Sequence, residues 1–115
     1  MDELTIAIAT SGLTRDLKQG QVDIGGLQLK HVAIEPITQA MRRMVRGLEF
    51  DVCEMAITTY LCARAYGKPI TAIPVFVTRN FHHGAIFRAT DSDIRAPTDL
   101  EGRTVGVNRG YTVTT

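Results

Sequence analysis

Short apolar runs along this chain alternate with stretches in which apolar residues return every three or four positions. "LTIAIAT" (4–10) is β-rich and bounded by "SG", which predicts a central strand of parallel type. "LTRDLKQG" (13–20) makes one helical turn or a loop. "LQLKHVAIE" (27–35) alternates and then runs apolar, a second strand, with Gly25 and Gly26 supplying the turn before it. Ile37, Ala40, Met41, Met44, Val45 and Leu48 then fall on one helical face, in a helix that Pro36 opens and Gly47 can stop. "FDVCEM" (50–55) reads as a third strand, and "AITTYLCARAYG" (56–67) as a helix with Gly67 at its end. "PITAIPVFVT" (69–78) is expected as a strand, although Pro74 argues against a fully paired centre. Two more strands are expected at "GAIFRAT" (84–90) and "TVGVN" (104–108), joined by the polar connector 91–103 with one helical turn; "RGYTVTT" (109–115) looks like a loop entering a helix.

Alternating strands and helices predict an α/β fold with a mainly parallel sheet flanked by helices. The last strand has no later neighbour in the sequence. The expectation is therefore an apparently incomplete fold, the first part of a longer protein. Residues 1–103 would form a first α/β lobe, and 104–115 would begin a crossover into a second.

Composition narrows the function. The 115 residues are 44% hydrophobic and 22% charged, ordinary for a soluble globular domain. A formal net charge of +1 gives no electrostatic case for nucleic acid or an acidic membrane. Arg42, Arg43 and Arg46 lie off the apolar stripe and late in their helix, a solvated face that the helix dipole favours. Cys53 and Cys62 are too few for a disulfide framework and read as buried thiols in a reducing compartment; no CxxC or Cys/His spacing argues for a metal. "MDELTIAIAT" lacks the basic and long apolar regions of a secretory signal, and no window reaches the length of a membrane span, so a cytoplasmic protein is expected. Unfinished sheet leaves room for a homo-oligomer.

Ligands of open α/β sheets bind at the carboxyl ends of the strands. Polar clusters stand at four such ends: Thr10, Ser11 and Gly12; Glu54, Met55, Thr58 and Thr59; Thr78 to His83; and Asn108 to Thr114. Ser11, Gly12, Thr58, Thr59 and the Gly110–Thr112 segment can offer backbone N–H groups to an anion, or simply cap and turn the chain. Arg79 and Arg109 add weight to the anion reading, because a guanidinium matches a carboxylate bidentately. Glu54 has two readings. It caps the following helix or pairs with an arginine, or it faces a ligand as general base or hydroxyl acceptor. His82 and His83 are adjacent and would point to opposite faces of an extended chain, suiting one of them to acid–base work better than to a metal. Phe81 is expected to cover core, Arg88 to pair with Glu54 or another acid, and His31 and Asp51 to be structural.

"FDVCEMAITTYLCARAYG", "AIPVFVTRNFHHGAIF" and "DLEGRTVGVNRGYTVTT" together resemble the 4,5-dihydroxyphthalate decarboxylase family, whose members share the type II periplasmic-binding-protein fold. "DLEGRTVGV" is general to the superfamily, whereas the strand–Glu–Met–helix phrase and "TRNFHHGAIF" belong to the decarboxylase-like branch. The resemblance covers nearly the whole chain but only the first part of such a protein. It implies decarboxylation of a small hydroxylated aromatic dicarboxylic acid without a cofactor. Arg79, Arg109, Ser11, Gly12, Thr58, Thr59 and Thr112 would hold the substrate, and Glu54, His82 and His83 would share the acid and base roles. The alternative is a solute-binding module of a transporter that captures a small organic anion in the same cleft. The acid–base set and the missing export signal favour the enzyme.

Overall fold

The computed structural model describes residues 3–78 and 81–106, with backbone alone at His82 and Ala85. The chain divides into two compact units, Met1–Val77 and Thr78–Thr115. The first contains strand β1 (Glu3–Ala7), the short helix α1 (Arg15–Lys18), strand β2 (Gln28–His31), helix α2 (Ile37–Gly47), strand β3 (Val52–Cys53) and helix α3 (Ile57–Ala65). The sheet order is β2–β1–β3 and both pairings are parallel, Ile6 standing between His31 and Val52. The expected α/β class with a parallel sheet is therefore the observed one.

β1 is central because its apolar run can be covered on both faces; Ile6 and Ala7 are buried. β3 pairs over two residues only, but neighbouring contacts extend its grip on β1. Asp51 N–H donates to the Thr5 carbonyl at 3.1 Å, and Glu54 N–H donates to the Ala7 carbonyl at 2.9 Å. Side chains reinforce the same seam: the Asp51 carboxylate accepts the Thr5 hydroxyl at 2.6 Å and the Thr5 N–H at 2.8 Å. These bonds hold the Asp51 carboxyl below the usual range, the hydroxyl contributing most. Asp51 is a seam residue of the sheet, in keeping with its structural reading.

The core is Ala7, Ala40 and Phe50, with Val32, Ile34, Ile37, Met44 and Cys53 packed around them. Ile37, Ala40 and Met44 of the predicted α2 stripe thus join the core and Met41 is buried, whereas Val45 lines a groove beside α3 and Leu48, beyond the helix end, is exposed. The arginine-rich face is outward. Arg43 forms a two-pronged ion pair with Glu49, its Nε at 2.7 Å, and its guanidinium sits 5.3 Å from the centre of the Phe50 ring. α2 ends one residue later than expected. Gly47 is still helical, and Leu48 takes the left-handed cap at φ 51°, a costly place for a side chain. α3 ends as the sequence predicts. Gly67 is left-handed at φ 73°, its N–H donates to the Arg64 carbonyl at 3.0 Å and that of Lys68 to the Ala63 carbonyl at 2.9 Å, a Schellman motif. No helix among the described residues is long and apolar enough to cross a membrane.

Among the described residues two expected strands, 69–78 and 84–90, are not observed, and the described part of a third, 104–108, is not a strand. Residues 69–78 form no strand and are interrupted by a tight turn in which the Val75 N–H donates to the Ile73 carbonyl at 2.7 Å; Ile73, Val75 and Phe76 are exposed. Two prolines remove donors there, and β-propensity without a neighbouring strand does not make a ladder. In the second unit His82–Ala85 form a 3-10 turn where the strand "GAIFRAT" was expected to begin, and 86–90 pair with nothing in a sheet. Residues 104–106 are not in a strand, and 107 and 108 lie outside the described residues. The helical turn expected in 91–103 is present as a 3-10 turn at Pro97–Leu100.

Candidate functional site

Glu54 follows β3 at the carboxyl ends of β3 and β1, and it is half-buried. Neither structural role anticipated for it is observed. Helix α3 starts behind Ala56 with no side-chain cap, and among the described residues no cation pairs with Glu54. Instead its Oε2 accepts the N–H of Ala9 at 3.0 Å. This bond ties the exit of β3 to the exit of β1 and leaves Oε1 without a hydrogen bond among the described residues. A carboxylate held by one oxygen and open at the other is positioned to accept a proton from a ligand.

The Ala9 peptide is itself clamped from the other side. Thr14, 4% exposed, donates its hydroxyl to the Ala9 carbonyl at 2.7 Å and accepts the Ser11 N–H at 2.8 Å. The single hydroxyl proton of Thr14 is thereby spent, so in its 3.2 Å contact with Ser11 the serine hydroxyl must be the donor. Ser11 Oγ also accepts the Leu13 N–H at 3.3 Å. Both donors of Ser11 are committed to the turn, while the Gly12 N–H has no partner among the described residues. Gly12 is exposed, and a Cβ there would meet nothing within 4 Å.

A cation enters this end of the sheet that sequence reasoning missed. Lys18, at the end of α1, folds back to donate to the Ile8 carbonyl at 3.0 Å and to the Thr10 hydroxyl oxygen at 2.8 Å. The signal was slight: four residues after Thr14, one turn on, is the position that returns a long side chain over the β1 exit.

Thr58 and Thr59 are half-buried in the first turn of α3. Thr59 lines a groove between α2 and α3 with Val45, Cys62 and Tyr66. Cys53, beside Glu54, is half-buried, and its thiol donates to the Glu54 carbonyl at 3.1 Å. Burial, and secondarily the Glu54 charge, push this thiol up to about 11, so it is not a thiolate nucleophile at neutral pH. Cys62 is exposed rather than buried as expected.

In the second unit His83 is exposed, and its ring stacks on Phe81 at 6.2 Å between centres and 26° between planes. Phe81 is 90% exposed, not core. Arg88 donates to the Ala89 carbonyl at 3.2 Å rather than to an acid. Arg79, Arg109, Thr112 and the His82 side chain lie outside the described residues. The structure therefore brings together Ser11, Gly12 and Glu54, and adds Thr14 and Lys18. His83 stands in the other unit. No three of His, Cys, Asp or Glu gather as metal ligands among the described residues.

Comparison with known proteins adds identity to this geometry. A family model described as NMT1/THI5 like matches residues 25–114. Two curated relatives, both named 4,5-dihydroxyphthalate decarboxylase, are each 32% identical to the chain. The one from Comamonas testosteroni aligns over 106 residues, 91% of this chain and 32% of its own length. The one from Pseudomonas putida aligns over 110 residues, 93% of this chain and 42% of its own length. The chain thus spans about a third to two-fifths of the length of these relatives. No solved structure matches it.

Proposed function

The chain belongs to the NMT1/THI5-like family, of periplasmic-binding-protein-like fold, and from that membership we propose that it supplies the Glu54-bearing part of an aromatic-acid decarboxylase. The substrate class is a hydroxylated aromatic dicarboxylic acid of the 4,5-dihydroxyphthalate kind. One observation carries the reading: the relatives that align over nine-tenths of the chain both bear that activity in their names. The half-buried Glu54, with one oxygen held by the Ala9 N–H and the other open, supports it.

The chemistry asks little of a protein beyond proton management. A base takes the proton of a phenol para to a carboxylate, and electron density moves to the ring carbon bearing that carboxylate. An acid protonates this carbon. The carbon–carbon bond then breaks, its electron pair restores the aromatic ring, and CO2 leaves. The sum is one carboxylate exchanged for one proton. Glu54 has the geometry of the base, and His82 and His83 remain candidates for the acid. Arg79, Arg109 and Thr112 remain the candidates for holding the second carboxylate. No cofactor is needed by this scheme.

The test is a chimera in which this chain replaces the aligned 106 residues of the Comamonas testosteroni protein. CO2 release from 4,5-dihydroxyphthalate is expected, with a loss of roughly 100-fold or more in kcat for Glu54→Gln. The glutamine amide oxygen can still accept the Ala9 N–H, so the fold is retained. Tight binding of the acid without CO2 release would favour anion capture and overturn the decarboxylase reading.

A further inference from the structure

The ammonium of Lys18 is held by two neutral oxygens, Ile8 O and Thr10 Oγ1, and no carboxylate pairs with it among the described residues. An ammonium has three donors, so one remains. Lys18 also lines a cavity of about 410 Å³ between α1, the 20–27 turn and β2. One wall is apolar, from Leu17, Val22, Leu27 and Leu29; Asp23, Gln28 and His31 add polar groups. A concave site with an apolar wall and a few polar groups is the usual form of a small-ligand site, and this volume lies in the usual range. Asp23 also lines the cavity, with its Oδ1 turned to the Gly25 N–H at 2.9 Å, and a bound carboxylate would sit at the Lys18 end, while Glu54 accepts the Ala9 N–H outside the cavity.

We infer that this cavity binds a small carboxylate with a flat apolar body, an aromatic monoacid being the simplest, and that Lys18 is its anchor. The carboxylate would take the remaining N–H of Lys18 as a charge-assisted hydrogen bond, and the ring would lie against Leu17 and Leu29. Ile8 O and Thr10 Oγ1 fix the ammonium in place, so little side-chain freedom is lost on binding. The inference goes beyond the decarboxylase reading and does not need it, because the site involves neither Glu54 nor any bond-breaking step.

The probe is benzoate, with benzyl alcohol as its uncharged counterpart, titrated into the whole chain and followed by NMR. Benzoate is expected to give saturable shifts at the Leu17 and Leu29 methyl groups and at His31. Lys18→Met should weaken benzoate roughly tenfold or more and leave benzyl alcohol unchanged. Lys18→Gln keeps a donor toward Ile8 and Thr10 while removing the charge, so it separates loss of the anchor from loss of the loop; it too should weaken benzoate alone. Absence of saturable shifts in the wild type, equal binding of the two probes, or unchanged benzoate affinity in both variants would each overturn the inference. CO2 release by the chimera is read separately, so failure there leaves the Lys18 site standing, and the reverse holds.

Discussion

In the first unit Ala7, Ala40 and Phe50 close on one another, and Ile37, Ala40 and Met44 of the apolar stripe read from spacing join that core. In the second unit Phe81, Ile86 and Phe87 stand exposed, the two phenylalanines at 90% and 88%. The second unit is the less hydrophobic one, with 12 apolar residues in 38 against 39 in 77 in the first. It therefore has less apolar surface with which to cover these side chains. Periodicity says which residues share a face, and burial then depends on whether the chain supplies a second face.

The sharpest way to break that comparison is to truncate one phenylalanine in each unit. Phe50→Ala removes a buried ring from the centre of the small core and the seat of the Arg43 guanidinium, and should cost about 3–5 kcal/mol. Phe87→Ala should change stability by no more than about 0.5 kcal/mol. Urea unfolding followed by circular dichroism reads both. Equal losses would mean that the second unit shares a core with residues the described structure leaves exposed.

The same contrast explains what was legible beforehand. α2 and the end of α3 were readable because a helix carries its own hydrogen bonds, so the stripe of Ala40, Met41 and Met44 and the glycine at 67 suffice. Strands were readable only where pairing exists; "PITAIPVFVT" has the composition of a strand and joins no sheet among the described residues. The site divides in a similar way. That Glu54 stands at a strand exit followed from the order of elements. That it holds the Ala9 N–H, rather than an arginine or the cap of α3, did not, because its partner is 45 residues away and backbone amides carry no sequence signature. Lys18 was overlooked because α1 is four residues long and its importance lies in where it ends.

A smaller effect sharpens the comparison at single hydrogen bonds. Thr14→Val keeps the shape of a buried residue but strands the Ala9 carbonyl and the Ser11 N–H, and should cost about 1–3 kcal/mol. Its counterpart in the second unit is Ser92, whose hydroxyl accepts the Ile94 N–H at 3.2 Å. Ser92→Ala should stay within about 0.5 kcal/mol. Amide exchange at Ser11, fast in the variant and slow in the wild type, ties the larger loss to the β1 exit.

The finest distinction comes from two aspartates with the same electrostatic signature. Asp51 in the first unit and Asp99 in the second both titrate below 3.8, Asp51 mainly through the Thr5 hydroxyl, Asp99 through the N–H groups of Arg95 and Ala96. For a carboxyl depressed in the folded state, the unfolded chain binds the proton more tightly. The stabilisation is therefore complete above pH 3.8 and is lost as pH falls through the lower, folded value. Both groups are exposed, so each contribution is small. They differ in what their protonation releases. Asp51 joins β3 to β1, and its loss loosens the sheet; Asp99 fastens one 3-10 turn with no buried residue of its own. Asp51→Asn should therefore flatten the acid limb of unfolding followed at the Thr5 amide below pH 3.8, because the variant has no proton to gain there. Asp99→Asn should leave that limb unchanged and speed amide exchange at Arg95 and Ala96 alone. If instead Asp99→Asn alters the limb at Thr5, the turn is coupled to the sheet, and the contrast between the two units fails.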